Sequence, residues 1–297
     1  MQDGLAWRTI CDTGCRFGRG VVGTVRTALA AVFWMLATAA SAEELHSSLC
    51  PYGCPAGAPR TNDVVVREIY VLSSNDTTKL ADWVGYRVTA DSIGPTAQRR
   101  WRTDPALGGA ETLEPDDYRD ANAELGTDRG HQAPLASFTG TDAWETTNYL
   151  SNITPQRSAL NQGAWRRLED AVRSLARSRG GAGVHVTTGP LYERNMGVLP
   201  GADEAHVVPS GYWKIVATDD RGGIRVAAFA FGQDTPRNAS HCDADKRVSV
   251  SEVERRSGLD FFHALDPEDQ RRLENGPGNL YEDLGCSGSD ASRTAGQ

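Results

Sequence analysis

The 297-residue sequence predicts an α+β fold, a mixed, layered domain built around an antiparallel sheet. Three observations carry that expectation. Runs of β-branched and aromatic residues recur along the chain, and short turns join some of them. Helical periodicity is concentrated in one long central segment, and two late helices carry legible starts. Long connections interleave the strands, yet no internal repeat or linker between two cores is visible, so one domain is expected.

The chain opens with Arg8, Arg16, Arg19 and Arg26 against only Asp3 and Asp12, followed by the apolar stretch TALAAVFWMLATAA and the small residues Ala40, Ser41 and Ala42. This order of basic lead, short apolar run and small-x-small end reads as a secretory signal peptide over residues 1–42. A buried N-terminal helix fits less well, because polar Glu43 and Glu44 follow at once. Val64–Leu72 (VVVREIYVL) and Trp83–Thr89 (WVGYRVT) read as strands, with a turn at residues 73–76. Residues 103–127 read as an acidic, solvated connection. A helix is expected from Ala159 to Arg179, ended by Gly180 and Gly181, with Leu160, Ala164, Leu168, Val172 and Leu175 as its apolar stripe. Val184–Thr188, Tyr212–Thr218 and Ile224–Phe231 follow as strands, the last two joined by a turn at 219–223. Ser249 to Glu252 reads as a capping box, and Asp266-Pro267 as an N-cap before a proline at the first helical position. The tail after Cys286 has nothing to bury and is expected to be disordered over 287–297.

Composition narrows the function classes. With 39% hydrophobic residues, 7 Trp, 8 Tyr and 7 Phe, the chain can build a core, which excludes disorder and collagen. No run reaches the roughly 18–20 apolar residues of a membrane span. There are 31 Lys+Arg and 39 Asp+Glu, a net charge of −8. Removing the four Arg and two Asp of residues 1–42 leaves 27 basic and 37 acidic side chains, a net of −10. Such a balance argues against attraction to nucleic acid or anionic membranes through the general field, leaving only a local basic cluster, for which Arg99, Arg100, Arg102 and Arg129 are candidates.

Cleavage would leave Cys50, Cys54, Cys242 and Cys286 in an oxidising compartment, where an even number favours disulfides. Three pairings are open, and the expected one joins sequence neighbours, Cys50 with Cys54 and Cys242 with Cys286. Zinc is disfavoured because His46 lacks a finger-like spacing from Cys50 and Cys54.

Two segments carry chemistry. Asp128-Arg129-Gly130-His131 sets an acid, a guanidinium and an imidazole within four residues; on a strand, Arg129 and His131 share one face and Asp128 lies on the other. Along the long helix, Asn161, Trp165, Glu169 and Arg173 recur every four residues and form one stripe. Taken alone, His131 is also readable as a structural histidine, and Glu169 with Arg173 as an exposed ion pair contributing about 0.3–0.5 kcal/mol. Asn161 is readable as a first-turn cap, but its side-chain oxygen is also a hard neutral ligand suited to magnesium.

Together with residues 98–105 (QRRWRTDP), 128–138 (DRGHQAPLASF), 148–156 (NYLSNITPQ), 160–165 (LNQGAW) and 189–194 (GPLYER), and with cysteine pairs at both ends, the chain resembles the DNA/RNA non-specific endonucleases, and among them the secreted Serratia-type nucleases. The resemblance covers nearly all of residues 43–286. It implies the ββα-metal, or His-Me finger, active-site motif, with His131 as general base and Asn161 as the only direct protein ligand of Mg²⁺, with Mn²⁺ as a substitute. It also implies that Arg99 steadies the phosphate, that Glu169 holds a water of the metal's shell, and that Arg129, Asn152 and Arg173 support the site, with Asp128 beside them. The substrates implied are single- and double-stranded DNA and RNA, and a homodimer is suggested. The expected protein is a secreted hydrolase, extracellular or in transit through a periplasm, that makes 5′-phosphorylated products. Two rivals stand against this. One is a metal-independent ribonuclease pairing His131 with His185 or His206, and the other an inactive secreted binding module that has lost a base or a metal ligand.

Overall fold

Among the described residues, seven strands make one antiparallel sheet, and two more make a separate ribbon. In chain order the strands are β1 (Asp63–Val66), β2 (Tyr70–Asn75), β3 (Leu80–Val88), β4 (Thr127–His131), β5 (Ile153–Arg157), β6 (Val184–Leu191), β7 (Gly211–Asp220), β8 (Gly223–Gly232) and β9 (Arg247–Val248), and the α-helices are α1 (Ala121–Leu125), α2 (Ser158–Leu160), α3 (Arg166–Arg179), α4 (Val250–Ser257) and α5 (Pro267–Asn275). The large sheet runs β1-β2-β3-β6-β7-β8-β9, and β4 pairs only with β5. These positions come from a computed structural model that describes residues 47–276 and 278–287. The expected signal peptide, and the tail beyond Ser287, lie outside the described residues.

Alternation along the strands divides the core between two faces. Tyr70, Leu72, Val84, Tyr86, Tyr212, Val216, Phe229 and Phe231 point to one side, where they meet α3 (Arg166–Arg179) through Leu168 and Val172. Val71, Trp83, Trp213, Ile215 and Ala228 point to the other, against Val250 and Val253 of α4 (Val250–Ser257) and Leu273 of α5 (Pro267–Asn275). A sheet covered on both faces needs strands that are apolar throughout, which is why β7 and β8 read as continuous hydrophobic runs. A smaller cluster of Leu80, Leu113, Tyr118, Leu150 and Ile153 seats the β4–β5 ribbon.

Several sequence-based expectations shift here. The run Val64–Leu72 is two strands, because the Arg67 backbone N–H folds back to the Tyr70 carbonyl and makes a hairpin. The turn expected at 73–76 comes later. Ser73 and Ser74 are buried in β2, and the Asn75 side-chain oxygen accepts from the backbone N–H groups of Thr77 and Thr78 to bend the chain there. The acidic connection is not simply solvated. It contains a short 3₁₀ turn, Pro115–Tyr118, and the helix Ala121–Leu125, while Asp104 is 1% exposed, paired with Arg67 and hydrogen-bonded by Ser151. Ser249 caps α4 by accepting from the Glu252 N–H, but the Glu252 carboxylate turns to Arg255 instead of closing the box.

The long helix expected from Ala159 to Arg179 is interrupted. Gly163 leaves helical geometry (φ −104°, ψ −117°), so a short turn, Ser158–Leu160, and the wider Asn161–Trp165 precede α3. Close approach explains the glycine: a Cβ there would stand 2.7 Å from the Arg237 carbonyl oxygen. Arg167 fastens the same contact by donating to the Arg237 and Ala239 carbonyls.

Both expected disulfides are present, Cys50–Cys54 and Cys242–Cys286, with sequence separations of 4 and 44. The chain-entropy model assigns the long bridge about 4 kcal/mol and the short one about 2. Cys242→Ser is therefore expected to lower the thermal midpoint more than Cys50→Ser, and a scanning-calorimetry comparison in oxidising buffer checks it.

Candidate active site

The ribbon and the start of the central helical segment face a cavity of about 590 Å³ whose lining includes Arg99, Trp101, Asp128, Arg129, His131, Asn161, Arg166, Glu169 and Arg173. The structure thus brings together every expected catalytic and metal-ligating residue. Asn152 stands behind the lining, fully buried.

His131 ends β4, opposite Ile153 of β5. The chain just beyond it is clamped by Asn152, whose side-chain oxygen accepts from the Ala133 N–H while its amide donates to the Ala133 and Thr147 carbonyls. The imidazole leans on Trp101, with ring centroids 5.3 Å apart, and its Nε2 stands 3.4 Å from the Asn148 side-chain oxygen. Loss of water around the ring, aided by the Arg99 charge, draws the His131 pKa down from 6.5 to about 4, while Asn148 opposes the shift. The ring is therefore neutral near pH 7 and able to accept a proton.

Arg129 shares the His131 face, as strand alternation predicts, since its guanidinium stacks on the same Trp101 at 5.7 Å. It also stacks on Tyr118 at 5.3 Å and donates to the Pro115 carbonyl at 2.8 Å. These bonds hold it in the wall.

Asp128 departs from the expectation. Instead of facing away, its carboxylate lines the same cavity, because the start of the helical segment reaches back to it. One oxygen accepts from Ser158 at 2.6 Å and Asn122 at 3.1 Å, the other from Asn161 and Gln162 at 2.8 Å each. A carboxylate accepts but cannot donate, so the Asn161 NH₂ must be the end that meets it. The Asn161 carbonyl oxygen is then left for a hard cation, and with the Glu169 carboxylate on the same cavity the donor set fits Mg²⁺.

The stripe of four separates in the structure. Trp165 turns into the core, 2% exposed, while Glu169 and Arg173 reach the cavity. Arg173 does not form the exposed pair with Glu169 that spacing allowed. It is buried and bonded to Asp170 and Ser137. Burial raises the Glu169 pKa, and the nearby charges of Lys214 and Arg173 pull it back.

Of the expected basic cluster, Arg99 and Arg129 line the cavity but Arg100 and Arg102 do not, and Arg102 pairs with Glu145 at 3.1 Å. Exposed Arg166 takes a place there instead. Sequence reasoning also missed Trp101 and Asn148 as partners of His131, although both lie in the quoted motifs. Neither alternative histidine joins the site. His185 packs edge-on against Tyr52, and His206 accepts from the Leu199 N–H at 2.8 Å.

A large antiparallel sheet with a separate two-stranded ribbon sets a strand-borne imidazole and a helix-borne amide on one cavity. The family model for DNA/RNA non-specific endonucleases matches residues 47–268, and the chain belongs to that family. It is 49% identical over 261 residues to a nuclease of Serratia marcescens, covering 87% of this chain and 96% of that one. It is 32% identical to nuclease C1 of Cunninghamella echinulata var. echinulata, over 74% of this chain and 89% of that one. Human mitochondrial endonuclease G is 31% identical, over 72% of each. A chain in the crystal structure of the EndoG/EndoGI complex superimposes with a TM-score of 0.59 at 25% identity, covering 73% of this chain and 91% of that chain. The protein is a DNA/RNA non-specific endonuclease.

With His131 as the base, only its neutral imidazole accepts a proton, so activity should fall as pH drops through its folded-state pKa. The acid limb of kcat/KM is expected near pH 4, below the ordinary 6.5. Arg99→Ala should move it upward by removing a repelling charge, which rate profiles at saturating metal will show. His131→Ala should cost about 10²–10⁴ in kcat.

Proposed function

We propose that the protein is a secreted, sugar-non-specific endonuclease that hydrolyses phosphodiester bonds in single- and double-stranded DNA and RNA by a one-metal mechanism, leaving 5′-phosphates. The observation that carries this reading is the orientation of Asn161. With its NH₂ end held by Asp128, it offers a carbonyl oxygen to the cavity that holds a neutral His131. Mg²⁺, or Mn²⁺ in its place, would be held by Asn161 and would supply positive charge to the scissile phosphate.

His131 takes the proton of the attacking water. Its ring is held by Trp101 and Asn148, and the chain beyond it by Asn152. Arg99, exposed at the cavity, meets the charge that builds on the phosphate oxygens, while Arg129 and Arg173 add fixed positive charge from the wall. Glu169, on the same cavity, would accept hydrogen bonds from water around the bound metal. None of these groups reads a base edge or requires a 2′-hydroxyl, which supports action on both sugars. The two disulfides and the apolar N-terminal stretch support export. A homodimer belongs to the same reading.

Excess EDTA is expected to abolish cleavage of both plasmid DNA and RNA, and Mg²⁺ or Mn²⁺ to restore it. Ribonuclease activity that survives chelation would overturn the one-metal reading. Each duplex phosphate neutralised contributes about 0.9 to the slope of log affinity against log salt. Arg166→Ala should flatten that slope by about this amount, whereas Arg102→Ala, paired outside the cavity, should leave it unchanged; filter binding without metal measures both.

A further inference from the structure

Away from the catalytic cavity, on the face of the large sheet that α4 and α5 cover, three carboxylates converge. Glu254 lies on α4, Glu274 on α5 and Asp260 in the loop between them, and one oxygen of each stands within 4.8 Å of the other two. Like charges this close repel, and the repulsion grows as water is removed from around them. Glu274 is the most enclosed of the three. It is 9% exposed, and its Oε1 is shielded from solvent without a hydrogen-bond partner. A buried carboxylate oxygen with nothing to accept from is rare in a folded protein, and it marks the place of a positive group that the side chains around it do not supply.

The neighbouring cations are committed elsewhere. Arg255 and Arg256 of α4 turn to Glu252 and Glu193, and Arg272 of α5 turns to Asp269. Two neutral donors do reach the cluster: the Phe261 N–H donates to Glu254 Oε1 at 3.0 Å, and the Gln270 amide to Asp260 Oδ1 at 3.4 Å. They orient two of the carboxylates and leave the charge uncancelled. The backbones are held by other bonds. The Asp260 N–H and carbonyl pair with Ala56, two residues beyond Cys54, and the Ser251 hydroxyl donates to the Glu274 carbonyl at 3.0 Å, joining α4 to α5.

We propose that Glu254, Asp260 and Glu274 form a binding site for Ca²⁺, which fastens α4 to α5 and both to the segment that follows Cys54. Carboxylate oxygens select a hard cation over zinc or copper. Ca²⁺–oxygen distances of about 2.3–2.6 Å let two ligands of one ion stand up to about 5 Å apart, whereas the roughly 2.0–2.1 Å of Mg²⁺ allows only about 4.2 Å. Oxygens within 4.8 Å of one another are thus inside the reach of Ca²⁺ as they stand, and water completes its shell. None of the three residues lines the catalytic cavity, so the site is structural and independent of the mechanism above.

The test is the thermal midpoint of the whole protein, stripped with EDTA, dialysed, and measured with and without about 10 mM CaCl₂. Wild type and Asn161→Ala should both rise by about 4 °C or more, and Glu274→Gln and Asp260→Asn by less than about 1 °C. Asn161→Ala removes the expected ligand of the catalytic cavity, so a shift that persists in it arises elsewhere. Asp260 is exposed, and Asp260→Asn keeps the test decisive if the more buried variant folds poorly. Titration calorimetry of CaCl₂ into stripped Asn161→Ala protein should show binding that adding Glu274→Gln or Asp260→Asn weakens at least about tenfold.

No Ca²⁺ shift in the wild type would overturn the site, the carboxylates then relieving their repulsion by a shared proton. A shift that vanishes in Asn161→Ala would assign the cation to the catalytic cavity and overturn the proposal. A shift that survives undiminished in Asp260→Asn and in folded Glu274→Gln would place the ion away from these carboxylates, with the same result.

Discussion

The carboxylate of Asp128 is the constraint on which the site depends. It sits on the strand that carries His131 and accepts hydrogen bonds from Ser158, Asn161 and Gln162 at the start of the helical segment. The ribbon and the helix would otherwise be free to slide against each other by the small amount that ruins a catalytic geometry. Because the anion can only accept, it also decides which end of the Asn161 amide faces the cavity. One side chain therefore ties the two halves together and sets which atom Asn161 turns to the cavity.

Around that constraint the protein spends polar groups on rigidity. Asn152, fully buried, uses both ends of its amide to hold the chain just beyond His131. Arg129 and Arg173 are tied to Pro115 and Asp170, so their charge is present at the wall without a search for orientation. Farther back, buried Asp104 joins Arg67 of the first hairpin to Ser151, while the Arg102 backbone bonds to Asn148 and Leu150. These ties run through the segment that bears Arg99 and Trp101. Fixed dipoles and charges of this kind need no reorganisation when charge develops on a phosphate.

Cavity residues whose spacing is local were legible in the sequence: His131 and Arg129 alternate on a strand, and Asn161 and Glu169 recur at helical intervals. What was not legible depends on tertiary contact. The kink at Gly163 comes from the distant Arg237 backbone, and Trp165, in register with the stripe, is packed in the core. The late turn after β2 is made by the Asn75 side chain, which reads in sequence like any other polar residue in a turn-rich stretch. Lys214, in the middle of the apolar run YWKIVAT, is buried against the Tyr86 hydroxyl and the Trp165 ring, contacts that no local spacing announces.

The seat of the helix bend has a consequence for when the enzyme becomes competent. The residues that line the cavity all fall between Arg99 and Arg173 in chain order. The backbone that Gly163 and Arg167 pack against belongs to Arg237 and Ala239, more than sixty residues downstream, just before the Cys242 that bonds to Cys286. A nascent or truncated polypeptide ending soon after Arg173 would possess every reactive side chain and lack the surface that shapes their approach.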